Sequence, residues 1–474
     1  MIHIDGTLHM PMYQQIYEQL KKKILTGTFK EGDRLTPTRV FAKNFCVSRN
    51  TVENAYSQLC LEGYVLNKPG SGFIVQNMND QVLIAEQPKE PVHESDDADQ
   101  SPLTSEESEK YLYDFQYGNL DIPFPYSLWR RFTAEVLLSL DARRINSYND
   151  KQGELDLRIQ IMKYLQEARA VSCTPDQIVL CCGTQYALDL VCKLFSDGNR
   201  KLAMEEPGYN GARTVFENNG FEILPIPVQS DGIQVSTLER SSAKLAYITP
   251  SHQFPTGVVM PIQNRFHLLH WATEANGIII EDDYDSELRY HARPIPALQS
   301  LDTSGRVIYM GTFSKSLSPG LRMGYMILPK WLLPKYHAMF ARYSSSIPWL
   351  EQKIVSLYMA GGHWERHLRK ICLYNKKKHD IMLKTITQLM GDKVIIQGSN
   401  AGLHILLEFA NGEKQNWLID KAKEYQVKVY PTTPFWHATE NRPENTLLLG
   451  FSMLNEKEIF NGLTLLNKAW FGHK

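Results

Sequence analysis

At 474 residues the chain is too long for one ordinary domain and calls for two or three. A formal net charge of -1 with 43% apolar residues is an ordinary soluble composition. No window of about 18 uninterrupted apolar residues exists, and MIHIDGTLHMPMYQQ at the start lacks a basic-then-apolar signal, so no membrane partner and a cytoplasmic location are expected. Seven cysteines without regular pairing, two of them adjacent in an apolar run (Cys181-Cys182), fit reduced thiols better than a disulfide framework. No CxxC or His-rich cluster suggests a metal site. The near-zero charge is segregated: residues 1–77 carry nine Lys/Arg against six Asp/Glu, and residues 78–110 carry two against ten, which marks three parts.

Pro11 to Leu25 reads as a helix, because Ile16, Leu20 and Ile24 recur at helical spacing beside Lys21, Lys22 and Lys23; Gly27 and Gly32 end it. A second helix starts within Leu35–Ala42, with Thr36 as N-cap and Pro37 at the first helical position. Cys46 to Val52 turns into a third, capped by Ser48, with Val52, Tyr56 and Leu59 facing inward. Two short helices joined by a tight turn make a helix-turn-helix, and the segments Glu62–Leu66 and Gly72–Val75 flanking Asn67–Ser71 read as a β-hairpin wing. The start of the third helix, Ser48-Arg49-Asn50-Thr51, is placed to reach base edges, with Arg49 a bidentate donor to guanine; Thr38, Arg39 and Lys68 are placed to grip phosphates. An excess of about three positive charges predicts weak non-specific binding by one copy, so useful affinity calls for a dimer on two half-sites. Residues 1–77 resemble the winged-helix domain of the GntR regulator family, which implies double-stranded operator DNA as a partner.

Residues 78–111 are acidic, contain Pro and Ser and are poor in aromatics, so they are expected to form a flexible linker. From Leu112 a second domain begins, whose alternating strands and helices run to about Leu328, as a mostly parallel sheet requires; its large part ends at about residue 347, and a smaller α/β part follows to residue 474. That smaller part is expected to open with one long helix from Trp349 through Lys376-Lys377-Lys378, the three lysines on a solvated face.

Five stretches of this second domain carry chemistry. Ile178–Cys182 is a strand followed by Gly183-Thr184-Gln185 and an apolar-periodic run, a helix N-terminus whose free N–H groups suit a phosphate. Pro207-Gly208-Tyr209 offers an aromatic ring to stack on a planar group, and in the loop Thr249–Gly257 His252 or Gln253 is a candidate to reach a ring oxygen. Gly277–Tyr284 is a buried parallel strand ending in acids and a tyrosine, where Asp282 and Tyr284 are the candidates and Asp283 and Asp285 are read as solvated or capping. Finally Val307–Met310 opens into a loop in which Thr312-x-x-Lys315 and then Arg322 give the amine, hydroxyl and guanidinium that a pyridoxal 5'-phosphate site needs. A surface lysine in a Gly/Ser loop is the plain alternative for that last motif taken by itself.

Together the five stretches resemble the fold-type I aminotransferases. The resemblance implies a pyridoxal phosphate cofactor on Lys315, the catalytic lysine, with Asp282 at the pyridine nitrogen, Tyr284 at the ring hydroxyl and Arg322 at the phosphate. One departure stands out: the family's Asn-Pro-x-Gly is here Phe254-Pro255-Thr256-Gly257, without the asparagine. The fold class is therefore α/β: an N-terminal winged helix-turn-helix domain plus a fold-type I aminotransferase-like domain. Their union resembles the MocR family of regulators. That resemblance implies a homodimer and a sensor in which an amino compound displaces Lys315 to form an external aldimine; an active aminotransferase carrying a DNA-binding domain is the alternative. Compared with the GABA-responsive members, the arginine expected after Tyr209 is replaced by Asn210-Gly211, and that of the C-terminal part falls near Thr433-Pro434. GABA is thus not the expected effector, and Arg213 and Arg442 are candidates to hold a carboxylate.

Overall fold

The computed structural model describes residues 2, 4–5, 10–70, 72–77, 111–139, 146–290, 295–438, 440 and 442–472. The chain divides into two compact units, Met1–Thr104 and Ser105–Lys474. The acidic stretch expected to be a linker lies outside the described residues, apart from Tyr111.

In the first unit α1 (Met12–Leu25), α2 (Thr38–Asn44) and α3 (Arg49–Leu61) precede a hairpin of β1 (Val65–Lys68) and β2 (Gly72–Val75), which pair antiparallel. Helical spacing gathers Ile16, Leu20 and Ile24 on one face of α1 and Val52, Tyr56 and Leu59 on one face of α3, and all six are buried in a common core with Phe41. This is a winged helix-turn-helix. Two local expectations shift. Pro37 adopts φ -52° and ψ 136°, outside the helix, so α2 starts at Thr38 and Thr36 does not cap it; the Thr36 carbonyl instead accepts from the Tyr56 hydroxyl at 2.9 Å. Asn67 and Lys68 pair with Phe73 and Gly72 and so belong to the strand, which shortens the turn.

The second unit is built on an eight-stranded sheet in the order β4-β11-β10-β9-β8-β5-β6-β7. Its strands are β4 (Ile178–Cys181), β5 (Lys201–Glu206), β6 (Glu222–Gln229), β7 (Gly232–Ile233), β8 (Leu245–Ile248), β9 (Ile278–Asp283), β10 (Val307–Thr312) and β11 (Gly324–Ile327). The run β6-β5-β8-β9-β10 is parallel, and β11 lies antiparallel between β10 and β4. Strands buried on both faces need continuous apolar runs, which Ile278-Ile279-Ile280 and Val307–Met310 supply. The helices of this part are α4 (Tyr126–Leu138), α5 (Leu155–Arg169), α6 (Thr184–Leu194), α7 (Asn210–Asn218), α8 (Val235–Arg240), α9 (Ile262–Glu274) and α10 (Leu333–Met339). The shared direction of β4, β5, β8, β9 and β10 brings their C-terminal ends to one edge, the edge at which such sheets hold ligands.

A smaller antiparallel sheet follows, β12 (Val394–Gln397), β13 (His404–Phe409), β16 (Thr446–Gly450) and β15 (Tyr430–Pro431), in that order. It is accompanied by α11 (Trp349–Ala360), α12 (His363–Met390), α13 (Gln415–Glu424) and α14 (Glu456–Phe471). β3 (Tyr113–Asp114) pairs in parallel with β14 (Val427–Lys428), tying the start of the unit to its last third. The single long helix expected from Trp349 is two helices, because Gly362 takes the left-handed φ of +63° between them. Lys378 is not solvated either. It sits on the same helical face as Ile371, Asn375, Met382 and Ile386, is 1% exposed, and donates to the Ser452 carbonyl at 2.8 Å and to Asp121 at 3.3 Å.

Candidate functional site

Period-two alternation along β9 sorts its acids. Ile278, Ile280 and Asp282 share one face of the sheet, while Ile279, Glu281 and Asp283 share the other. Asp282 therefore emerges at the C-terminal edge on the face that Tyr247 of β8 also lines, and the Tyr247 hydroxyl donates to Asp282 Oδ2 at 2.5 Å. Asp282 Oδ1 is buried without a hydrogen-bond partner. Burial raises the carboxyl from 3.8 to about 7, against the pull of the Tyr247 bond and with help from Asp283 and Asp285.

A cavity of about 330 Å³ opens beside Asp282. Lys315, Thr312 and Arg322 reach it from the loop after β10, Thr184 and Gln185 from the start of α6, Tyr209 from the start of α7, and Tyr284 from the loop after β9. The Lys315 amine donates to the Gly118 carbonyl at 3.3 Å and lies 4.2 Å from the centre of the Tyr117 ring. Burial lowers it from 10.5 to about 8, with Asp285 opposing. Gly183 does not itself line the cavity but forms the bed of Arg322: a Cβ added there would come within 2.6 Å of Arg322 Nη2. Gly183 has φ +81° and Arg322 has φ +47°, so both turns are wound to bring the guanidinium to the N-terminus of α6. Thr312 Oγ1 accepts from the Ser314 N–H at 3.1 Å, which pins the loop that carries Lys315.

His252 stands one layer behind. Its Nδ1 contacts Asp285 at 2.9 Å and the Tyr284 hydroxyl at 3.1 Å, and it is buried away from the cavity lining. Asp285 and Asp283 are consequently not solvated: each is at most 5% exposed, Asp285 against His252 and Asp283 against the Arg169 guanidinium at 2.8 Å and the Tyr309 hydroxyl at 2.5 Å. Burying a charge calls for a partner, and the chain supplies one to each from more than thirty residues away, which local sequence does not reveal.

The site also contains residues that the sequence reading passed over. Tyr117 and Gly118 arrive from the segment before α4 and Tyr247 from β8; Phe254, already noted for the missing asparagine, also lines the cavity, and His404 packs against it at a ring-centroid separation of 5.3 Å. Tyr247 had a usable signal, since it stands just before the Thr249 loop at a strand end. Arg213 and Arg442 do not line the cavity; the Arg213 guanidinium is exposed and donates to the Pro434 carbonyl at 2.7 Å.

The donor set fits pyridoxal phosphate. A buried, orphaned carboxylate oxygen suits a protonated pyridine nitrogen, the bed at Gly183 with Arg322 and the α6 N-terminus suits a phosphate, and the Lys315 amine stands within the same cavity.

In the first unit the Ser48 hydroxyl accepts from the Thr51 N–H at 3.1 Å and so caps α3 as expected. Arg49 and Asn50 follow on the exposed first turn, where Arg49 Nε meets Glu53 Oε1 at 2.6 Å. Arg39 is exposed and Thr38 half-buried at the start of α2, Thr51 is half-buried, and Lys68 is exposed at the tip of the wing. No helix among the described residues is long and apolar enough to cross a membrane.

The chain matches two family profiles, "Bacterial regulatory proteins, gntR family" over residues 12–75 and "Aminotransferase class I and II" over residues 123–441. It is 38% identical to the uncharacterized HTH-type transcriptional regulator YdeL of Bacillus subtilis, covering 98% of each chain. It is 32% identical to the "Probable rhizopine catabolism regulatory protein MocR" of Rhizobium meliloti, over 99% of this chain and 96% of that one. Among solved structures, the kynurenine aminotransferase of Pyrococcus horikoshii, in complex with PMP, superposes with a TM-score of 0.68 at 28% identity, over 76% of this chain and 90% of that one.

Proposed function

The chain belongs to the MocR family, regulators that join a GntR-type winged helix to an aminotransferase class I and II domain, and from that premise we propose that it senses an amino compound at Lys315 and reports it to DNA. It is a DNA-binding transcriptional regulator with pyridoxal phosphate as cofactor. When bound, pyridoxal phosphate supplies an aldehyde that condenses with primary amines.

The rest is the work of this chain's residues. Burial holds the Lys315 amine near the point of half-ionisation at neutral to mildly basic pH, so a neutral, nucleophilic fraction is always present. Asp282 keeps the ring nitrogen's proton through Oδ1, and Tyr247 fixes the carboxylate plane through Oδ2. Arg322, Thr312 and the α6 N-terminus with Gly183, Thr184 and Gln185 hold the phosphate, Tyr209 stacks, and Tyr284 donates to the ring hydroxyl with His252 behind it. A primary amine entering the cavity would compete with the Lys315 amine for that aldehyde, and a released Lys315 amine would be received by the Gly118 carbonyl and the Tyr117 face. In the first unit Arg49, Asn50 and Thr51, on the helix start capped by Ser48, read bases while Thr38, Arg39 and Lys68 fix register on phosphates. A cytoplasmic homodimer on two half-sites supplies the affinity that one modestly charged head lacks. Effector and DNA then influence one another reciprocally, typically by about 1–3 kcal/mol.

The convergence of Lys315, Asp282 and Arg322 on one cavity, in a chain that also carries a winged helix, is the observation that supports this reading. The test is a titration of the holoprotein with amines while following both the visible band near about 420 nm, the signature of lysine-bound pyridoxal phosphate, and operator occupancy. An amine that shifts both together is expected, and GABA is expected to shift neither. Absence of the band refutes the reading. An active aminotransferase would need the same residues, and sustained turnover with a keto acid would favour it over a sensor.

A further inference from the structure

We infer that the effector is a primary amine on an aromatic or aliphatic body, without a carboxylate; the inference rests on the cavity reading above and narrows its ligand.

One wall of the cavity is apolar. Phe254, standing where the related enzymes have an asparagine, is the hub: its ring centroid lies 5.3 Å from Tyr117, 5.3 Å from His404, 4.9 Å from Phe435, 6.0 Å from Tyr209 and 6.1 Å from Tyr284. Behind it Leu406 and Leu448, directly paired across β13 and β16, complete one apolar cluster. Phe254 itself is 4% exposed, so this wall is packed rather than assembled by chance at a surface. His404 adds no charge, because burial holds it far below neutrality and its Nε2 donates to the Pro255 carbonyl at 2.9 Å.

A carboxylate in such a place needs a guanidinium or an ammonium to offset its lost hydration. Among the described residues that line the cavity the only cations are Lys315 and Arg322. Arg322 lies in the bed formed by Gly183 at the α6 N-terminus and is committed to the phosphate, and Lys315 is the amine being displaced. The other ionisable groups nearby are carboxyls, which give a carboxylate no partner of opposite charge: Asp282 lines the cavity, Asp285 contacts His252 behind Tyr284, and Glu205 accepts from the Thr249 hydroxyl at 2.6 Å. Neither Arg213 nor Arg442 lines the cavity. An aromatic or branched aliphatic body, in contrast, meets the Tyr117 and Phe254 rings that line the cavity.

The probes are 2-phenylethylamine and L-phenylalanine, which differ only by the carboxylate, together with GABA, each titrated into the holoprotein while the visible band is followed. Half-saturation by 2-phenylethylamine is expected at a concentration at least about tenfold below that of L-phenylalanine and of GABA. Equal or tighter response to L-phenylalanine, or no response to 2-phenylethylamine by a protein that has the band, overturns the inference and leaves the cofactor reading intact. A protein without the band refutes that reading, and the inference with it. Phe254→Asn is expected to raise half-saturation by 2-phenylethylamine at least about fivefold while moving L-phenylalanine less than twofold, and Phe254→Leu to fall between Asn and the native residue. A parallel change for both probes in both variants counts against Phe254 as the selecting wall.

Discussion

Asp282→Asn separates what this residue does for the cofactor from what it does to the protein without it. Burial raises the carboxyl from its ordinary 3.8 to about 7, which at about 1.4 kcal/mol per pH unit amounts to roughly 4 kcal/mol of penalty on the ionised form. The sign follows from proton counting. Between about pH 4 and pH 7 the folded chain keeps a proton on Asp282 that the unfolded chain has lost, so stability falls as pH rises through that window and the full penalty is present above it. An amide cannot ionise; it retains an acceptor for Tyr247 but buries an N–H where Oδ1 was orphaned, at a cost of about 1–3 kcal/mol. The cofactor-free variant should therefore be more stable than the native protein at about pH 8 by roughly 1–3 kcal/mol, a melting rise of about 2–5 °C. That advantage should shrink by several kcal/mol, and vanish or reverse, by about pH 5. Its affinity for pyridoxal phosphate should fall, since the ring nitrogen loses its anionic partner. Thermal unfolding of both cofactor-free proteins at the two pH values checks the first half, and an absorbance titration with pyridoxal phosphate the second. A variant no more stable than the native protein at about pH 8, or one whose advantage is the same at both pH values, would refute the argument that burial strains this carboxylate.

Lys315→Ala should abolish the band near about 420 nm while circular dichroism of the winged helix and binding of non-specific DNA persist. Arg49→Ala should weaken specific operator binding by about 1–3 kcal/mol, most at one base position, and leave the band unchanged; a gel-shift series over operator variants reads both effects, and intact affinity would remove Arg49 from base recognition. Gly183→Val places a Cβ within 2.6 Å of Arg322 Nη2 at a backbone φ of +81°, so the affinity for pyridoxal phosphate should drop at least about tenfold, measured by absorbance titration.

How much of this was legible in the sequence depended on the range of the interactions. Ser48 announced its cap because the bond closes within three residues, and Lys315, Asp282 and Arg322 could be selected because each stands at the end of an apolar strand or in the loop just beyond it. The same logic failed for Asp283 and Asp285. A run of four ionisable or polar residues at a strand end looks like a solvated terminus, and only the fold supplies Arg169 and His252 to receive the two acids. Lys378 failed for the opposite reason: in Lys376-Lys377-Lys378 the helical period turns one lysine inward, toward a carbonyl 74 residues later in the chain. His252 was picked for the ring oxygen and lies instead behind Tyr284, since a loop's sequence gives its residues but not their depth.

The proposed sensing would require a change at the Lys315 amine to be felt beyond the cavity, and the stretch from Tyr113 to Asp121 joins that amine to the smaller sheet and its helices. Its first two residues pair with β14, Tyr117 and Gly118 touch the Lys315 amine, the Asn119 carbonyl accepts from the Ser452 hydroxyl at 2.5 Å, and Asp121 accepts from Lys378. It is thus held from one side by the Lys315 amine and from the other by the smaller sheet and its helices. Hydrogen bonds to charged groups are worth about 1.5–3 kcal/mol each, the same size as the coupling between two ligands in a typical allosteric protein. Making or releasing the Lys315–Gly118 bond is therefore comparable in energy to the whole signal. The stretch also follows directly in the chain on the acidic segment that leads back to the winged helix, so under the proposed sensing the residues that touch the Lys315 amine are close in sequence to the DNA-binding part.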